Sequence, residues 1–331
     1  MPLNFVRPVA FLALAAAPAL AVSGVYKCLD QNNKVFYQDK PCRELTSTSL
    51  SPALAQLAPE ENRRRLFWKL TAGDRTVYVL GSLTYGAADM YPLPEAVMDA
   101  FGGTKVLAIA TELYAGDALE KSPAVAAKGR YPEGTNLQAH LKPATWDQTL
   151  NLAKELKISE EALAGLKPWL AALVLKNAAL RQAGFDDKLS VDKTFIKAAQ
   201  TQKPVVEIDT LENQAALYDS LNDAEQEQVL LRGLREADGK TGYFKALADA
   251  WKKGDDDAIA KLLIDMNRGL PKLDKALERL FDNRNKAFAD KVFEMAADGR
   301  PYFLVVDARH LGGDNGILSL LQDKGFTLTR L

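Results

Sequence analysis

Val106-Leu107-Ala108-Ile109-Ala110 is the stretch on which the fold turns. Five successive apolar residues, bounded by Gly102-Gly103 before and Thr111-Glu112 after, are too few for a helix and read as a strand buried on both faces. Strands of that kind lie inside sheets covered by helices, so the expected class is α/β (α+β). Upstream, residues 66–70 and 76–80 flank the turn Gly73-Asp74 as a hairpin, and Pro94 opens a helix that Gly102-Gly103 stops. Downstream, residues 205–208, 302–306 and 326–330 add strands, with a helix at 316–323 before the last. The long middle is helical. Residues 168–183 are apolar nearly all round with Gly184 as a stop, Asn222 and Glu225 form a capping-box start, and residues 211–299 read as amphipathic helices with a polar segment at Asp282-Asn283-Arg284-Asn285. Together these predict a mixed β-sheet with a large helical insertion.

The amino terminus speaks for compartment. Arg7 precedes an apolar run at 9–17 that ends in Pro18-Ala19-Leu20-Ala21, a small-x-small cleavage pattern, so residues 1–21 read as a signal peptide; a retained N-terminal anchor is the alternative. No later stretch matches the roughly 20 apolar residues of a membrane span. The expected location is the periplasm of a Gram-negative bacterium, or outside the cell. The two cysteines, Cys28 and Cys42, follow the cleavage site. In an oxidising space they are expected to pair, closing a loop of about 15 residues and contributing about 3 kcal/mol. Strand-like residues at 25–28 and 34–37 flank Asp30-Gln31-Asn32-Asn33, so 22–43 is a disulfide-stapled β-hairpin module, 44–62 a linker and 63–331 the main domain.

Charge excludes some partners. Lysine and arginine number 42 against 43 aspartate and glutamate, which leaves no global field for nucleic acid or an anionic membrane, and Arg63-Arg64-Arg65 reads as a solvated start to the domain. No Walker or dinucleotide glycine pattern follows any strand. Ser82 lacks nucleophile-elbow spacing, and His140 sits away from every strand end, where a structural role is expected.

Chemistry gathers at the strand ends: Gly81-Ser82-Leu83-Thr84, Thr111-Glu112, Glu207-Ile208-Asp209 and Asp307-Ala308-Arg309-His310. Open α/β sheets bind ligands at the carboxyl ends of their strands, so these residues are expected to converge on one crevice.

Trp68, Val77-Tyr78-Val79-Leu80-Gly81-Ser82, Tyr91-Pro92-Leu93-Pro94-Glu95-Ala96, Pro168-Trp169-Leu170-Ala171, Val191-Asp192-Lys193, residues 207–214, Asp282-Asn283-Arg284-Asn285 and residues 310–316 follow in an order that resembles the TraB/PrgY/GumN family over residues 66–331. Residues 26–42 resemble a short module of unknown function at the start of many exported proteobacterial proteins. The resemblance implies a fold related to the Tiki-type and erythromycin-esterase-like proteins. For the Tiki branch it implies a metal-dependent peptidase built on two Gly-x-x-His motifs and an acidic residue. Here the first motif, begun by Gly81, ends in Thr84 and the second begins with Asp307, leaving Glu112 and His310 as matching ligands.

Two functional readings follow. In the first, the motif is degenerate and the protein is a weakly active or non-catalytic binding or accessory protein for a peptide or small molecule. In the second it is a metal-dependent hydrolase in which Glu112, Asp307 and His310 hold one divalent ion (manganese, zinc, cobalt or iron), a carboxylate takes the proton of a metal-bound water, and Arg284 stabilises the oxyanion. Structural alternatives stand beside each role. Asp307 pairs with Arg309 or Arg284, Arg284 ties a helix to Asp282, Glu112 caps a helix, and His310 is a hydrogen-bonded loop residue. A third class, an assembly role for the N-terminal module, places function on the hairpin and linker.

Overall fold

The computed structural model describes residues 26–29, 35–38, 65–110, 122–200 and 202–331, the first two segments as backbone. The proposed signal peptide, Cys42, the linker and Glu112 lie outside the described residues. The chain divides into units Met1–Glu44 and Leu45–Leu331. In the first, β1 (Tyr26–Leu29) and β2 (Val35–Gln38) pair antiparallel with Cys28 opposite Phe36.

In the second unit, β3 (Phe67–Ala72), β4 (Arg75–Ser82), β5 (Val106–Ala110), β6 (Val205–Asp209), β7 (Tyr302–Asp307) and β8 (Thr327–Arg330) form one sheet in the order β6-β5-β7-β4-β3-β8. Strands β6, β5, β7 and β4 are mutually parallel, and β3 pairs antiparallel with both β4 and β8. The sheet is mixed, as expected. All five residues of β5 and all six of β7 are buried, which is why their sequences are apolar without alternation.

Helix boundaries follow the chemistry of the ends. Pro94 caps the helix Glu95–Gly103, and Asn222 and Glu225 exchange side-chain and backbone hydrogen bonds at the start of Asp223–Ala237. The apolar helix Pro168–Gln182 ends before Gly184, whose φ of +87° suits a residue without a Cβ. This helix packs directly on Asp223–Ala237. A Cβ on Gly233 would lie 2.8 Å from the Cβ of Ala172, so glycine is what lets the two backbones approach. Trp169 stacks on Tyr218 at 5.7 Å, and Leu170, Leu173, Leu230, Leu234, Leu273 and Leu280 extend the same core. Among the described residues no helix is long and apolar enough to cross a membrane.

This topology sets the site. Because β6, β5, β7 and β4 are parallel neighbours, their carboxyl ends open on one edge, bringing Asp209, Asp307 and Ser82 to a common rim.

Candidate functional site

Asp307, the last residue of β7, is 2 % exposed. Arg309 donates from Nε to its Oδ1 at 2.7 Å and from Nη2 to its Oδ2 at 2.9 Å, while the Arg309 backbone N–H adds a bond to Oδ1 at 2.9 Å. Thr84 completes the shell through Oγ1, which donates to Oδ2 at 3.2 Å. Burial pushes the Asp307 carboxyl up, but the Arg309 guanidinium and the adjacent His310 outweigh it and hold the group well below the usual carboxylate range. Of the two pairings open to Asp307, the tertiary structure selects Arg309.

His310 closes a single 3₁₀ turn, Ala308–His310, and is 1 % exposed. Its Nδ1 lies 2.6 Å from Asn285 Oδ1, and Asn285 Nδ2 donates to the carbonyl of Asn315 at 2.8 Å. With the amide thus oriented, Nδ1–H is the donor of this hydrogen bond. The imidazole packs against Phe281 and Phe288, with centroids 5.3 and 5.4 Å away.

Arg284 reaches the rim from the helix Asn283–Met295 and binds Asp209 Oδ2, through Nε at 3.0 Å and Nη2 at 2.9 Å, with its guanidinium over Phe288. It does not tie its helix to Asp282 in the described contacts. Asp282 instead accepts from Asn315 Nδ2 at 3.1 Å, at the end of a π-helical stretch over residues 278–282. Ser82 donates to Asp192 Oδ1 at 2.9 Å, a pairing that joins the end of β4 to the helix Val191–Ala199. His140 donates from Nδ1 to Asp223 Oδ2 at 3.1 Å, and its Nε2 lies 3.0 Å from the Thr135 hydroxyl.

A second buried cluster adjoins this one and was not legible as a site. Lys176 Nζ lies 2.8 Å from Glu236 Oε2, and Arg232 Nε lies 3.0 Å from Glu236 Oε1. Desolvation lowers the Lys176 ammonium to about 8 against the pull of Glu236, with Arg309 and Arg232 lowering it further. Burial raises the Glu236 carboxyl, yet Lys176, Arg232 and Arg309 overcome that and bring it down to about 2. Burial pushes the Tyr243 phenol upward. Arg309 acts on Lys176, Glu236 and Tyr243 alike, so the clusters are one electrostatic unit. The signals in the sequence were small: a lysine inside an otherwise apolar helix, and an Arg232/Glu236 spacing of four.

A cleft of about 350 Å³ borders the unit, lined by Arg232, Asn267, Asp282, Asn285, Arg309 and the loop 312–315. Among the described residues no three His, Cys, Asp or Glu side chains gather as a metal-binding group. Asp307 as it is held does not fit a metal, because both its oxygens are engaged by Arg309; the bond from His310 Nδ1 to Asn285 is one that a metal-ligating histidine also makes.

Sequence comparison matches the "Uncharacterized protein YbaP" of Escherichia coli strain K12, 24% identical over 266 residues that cover 76% of this chain and 89% of that protein. An "Uncharacterized protein" of Treponema pallidum strain Nichols is 19% identical over 280 residues, covering 80% of this chain and 82% of its own. No significant match to a solved structure exists. The model of the TraB/PrgY/gumN family matches residues 66–330, the whole span from β3 to β8, and the chain belongs to that family.

Proposed function

We propose that this protein is an exported, periplasmic binding or accessory member of its family, whose strand-end site recognises a polar ligand rather than activating water on a metal. The observation that carries this reading is the bidentate Asp307–Arg309 pair. A guanidinium occupies the carboxylate positions that a divalent ion would need, and Thr84, which stands at the end of the first motif, spends its hydroxyl on the same carboxylate. The relation to Tiki-type peptidases, the Cys28–Cys42 disulfide and the signal peptide belong to the same reading. A hydrolase built on Glu112, Asp307 and His310 would require Arg309 to release Asp307.

Metal content and calorimetric titration with Mn²⁺, Zn²⁺ and Co²⁺ test the proposal on the mature protein, wild type beside His310→Ala and Asp307→Ala. The expected result is no stoichiometric binding, or weak binding indifferent to both substitutions. Stoichiometric binding lost in both variants would overturn it in favour of the hydrolase.

A further inference from the structure

Tyr243 begins the helix Tyr243–Lys253, whose buried face runs through Tyr243, Leu247 and Trp251 at spacings of four. Phenylalanine would serve that stripe as well, so the hydroxyl needs a reason of its own. Tyr243 is 2 % exposed, and its hydroxyl is shielded from solvent with no hydrogen-bond partner among the described residues. A buried phenol ordinarily has a partner, and one left without costs stability. The hydroxyl feels the charges of Glu236, Arg309, Arg232 and Asp307, which places it toward the strand ends. Burial raises its pKa, so the phenol stays protonated and has an O–H to donate.

Tyr243 lines a pocket that it shares with the end of the first motif. Leu83, Leu180, Leu247, Phe185 and Phe244 give this pocket apolar walls, and Thr84 and the Asp307–Arg309 pair add polar lining. Leu83, Leu180 and Leu247 are buried, whereas Thr84, Phe185 and Phe244 keep some exposure, so the pocket reaches solvent. The centre of a water-sized sphere has about 40 Å³ to move in there. A single water needs on the order of 10–15 Å³ by that measure, so the pocket takes a group of roughly three heavy atoms. Thr84 gives its hydroxyl proton to Asp307 at 3.2 Å, which leaves its oxygen as an acceptor. The charged side chains of the lining already stand in ion pairs, Asp307 with Arg309 and Lys176 with Glu236. An entering charge would compete for those partners rather than find one waiting.

We propose that this pocket receives a neutral primary carboxamide on an apolar stem, with the carbonyl oxygen accepting from the Tyr243 hydroxyl and the amide N–H donating to the Thr84 oxygen. A carboxamide has three heavy atoms, carries both a donor and an acceptor, and brings no charge into an apolar-walled space. The stem packs on the leucines and on Phe185 and Phe244. This assignment rests on the binding reading above and names the group by which its ligand is held.

The test is a titration of the mature protein, in EDTA so that no metal contributes, followed by NMR of its leucine methyl groups. The probes are benzamide and isobutyramide, each beside its matched methyl ketone, which lacks the donor, and its matched carboxylate, which carries a charge. At least one amide is expected to saturate in the millimolar range, shifting the methyl signals of Leu83, Leu180 and Leu247. Its ketone should bind about fivefold more weakly and its carboxylate about tenfold or more. Tyr243→Phe should weaken the amide by about fivefold or more while the urea midpoint stays level or rises, because the variant removes a hydroxyl that the free protein leaves without a partner. Should Tyr243→Phe fail to fold, the ranking of the probes on wild type still decides. No saturation by either amide at about 20 mM would overturn the proposal, as would ketone or carboxylate binding as tightly as the amide. A lower urea midpoint in Tyr243→Phe would also overturn it, since the hydroxyl would then be held within the protein. A stoichiometric metal site would remove the binding reading without touching this titration, and failure of the amides with no metal site would remove only the ligand assignment.

Discussion

Arg309 grips both oxygens of Asp307, a residue two positions before it, at 2.7 and 2.9 Å, and both side chains are buried. The pair is formed across a single tight turn at the end of β7, so it costs little loop entropy, and it fixes the rim on which His310 sits. Arg309→Ala removes the counter-charge from a carboxylate that is buried in the folded protein. We expect a loss of about 3–5 kcal/mol in urea unfolding, and the same change with Asp307→Asn present should cost much less. A loss below about 1 kcal/mol would show that the pair is solvated.

Thr84→His restores the histidine of the first Gly-x-x-His motif, yet Asp307 remains held by Arg309. The single substitution is therefore expected to leave Zn²⁺ affinity weak, and a gain is expected only when Arg309 is replaced as well. Tight zinc binding by Thr84→His alone, read by calorimetry, would mean that the guanidinium yields to a metal.

Acid should unfold the protein through Glu236. Its folded-state value of about 2 lies below the ordinary 4.5, so the native state binds fewer protons than the unfolded chain between those values. The stabilisation, on the order of 3 kcal/mol, is present above pH 4.5 and is lost as pH falls toward 2. Asp307, also depressed, adds to the same limb. Lys176 acts at the other end: its value of about 8 lies below the ordinary 10.5, so the unfolded chain binds more protons between them and this group makes stability rise with pH across that window. Unfolding free energies measured from pH 2 to 10 on wild type and Glu236→Gln should show a shallower acid limb in the variant. Parallel acid limbs would contradict the buried cluster.

Asn285 links His310 to the loop that follows it, accepting from Nδ1 at 2.6 Å and donating to the Asn315 carbonyl at 2.8 Å. Asn285→Ala removes the acceptor of the buried His310 Nδ1 and a tie to the exposed loop residue Asn315, and is expected to cost about 1–3 kcal/mol. Hydrogen exchange should report it locally, with protection lost first over residues 310–316. Uniform loss across the domain would assign Asn285 to general packing instead.

Gly81 has a structural reason to be glycine, apart from any motif. A Cβ there would lie 2.5 Å from Leu311 Cδ1 and 3.0 Å from Leu66 Cβ, and its carbonyl accepts the indole N–H of buried Trp251 at 2.8 Å. Gly81→Ala should lower stability by about 1–3 kcal/mol and shift the tryptophan fluorescence. A neutral substitution would show that Leu311 can move aside.

The sequence by itself determined the sheet and its working edge. Val106-Leu107-Ala108-Ile109-Ala110 had no alternation, so it could only be a doubly covered strand, and it is β5, buried throughout. Local chemistry also fixed the helix ends at Pro94, Asn222 and Gly184, because caps and left-handed stops act over a few residues. The ordered motifs carried the family. What only the tertiary structure decided is which charges meet. Asp307 had two candidate arginines and Arg284 two candidate aspartates, and the sequence did not say which pairs form. The parallel order β6-β5-β7-β4 puts Asp209 under Arg284 and leaves Asp307 to Arg309. Lys176, Arg232 and Glu236 were hidden for the same reason. An ion pair between helices depends on which helix faces rotate together, and that rotation is set by close packing at Ala172 and Gly233, across a contact more than fifty residues apart in the chain.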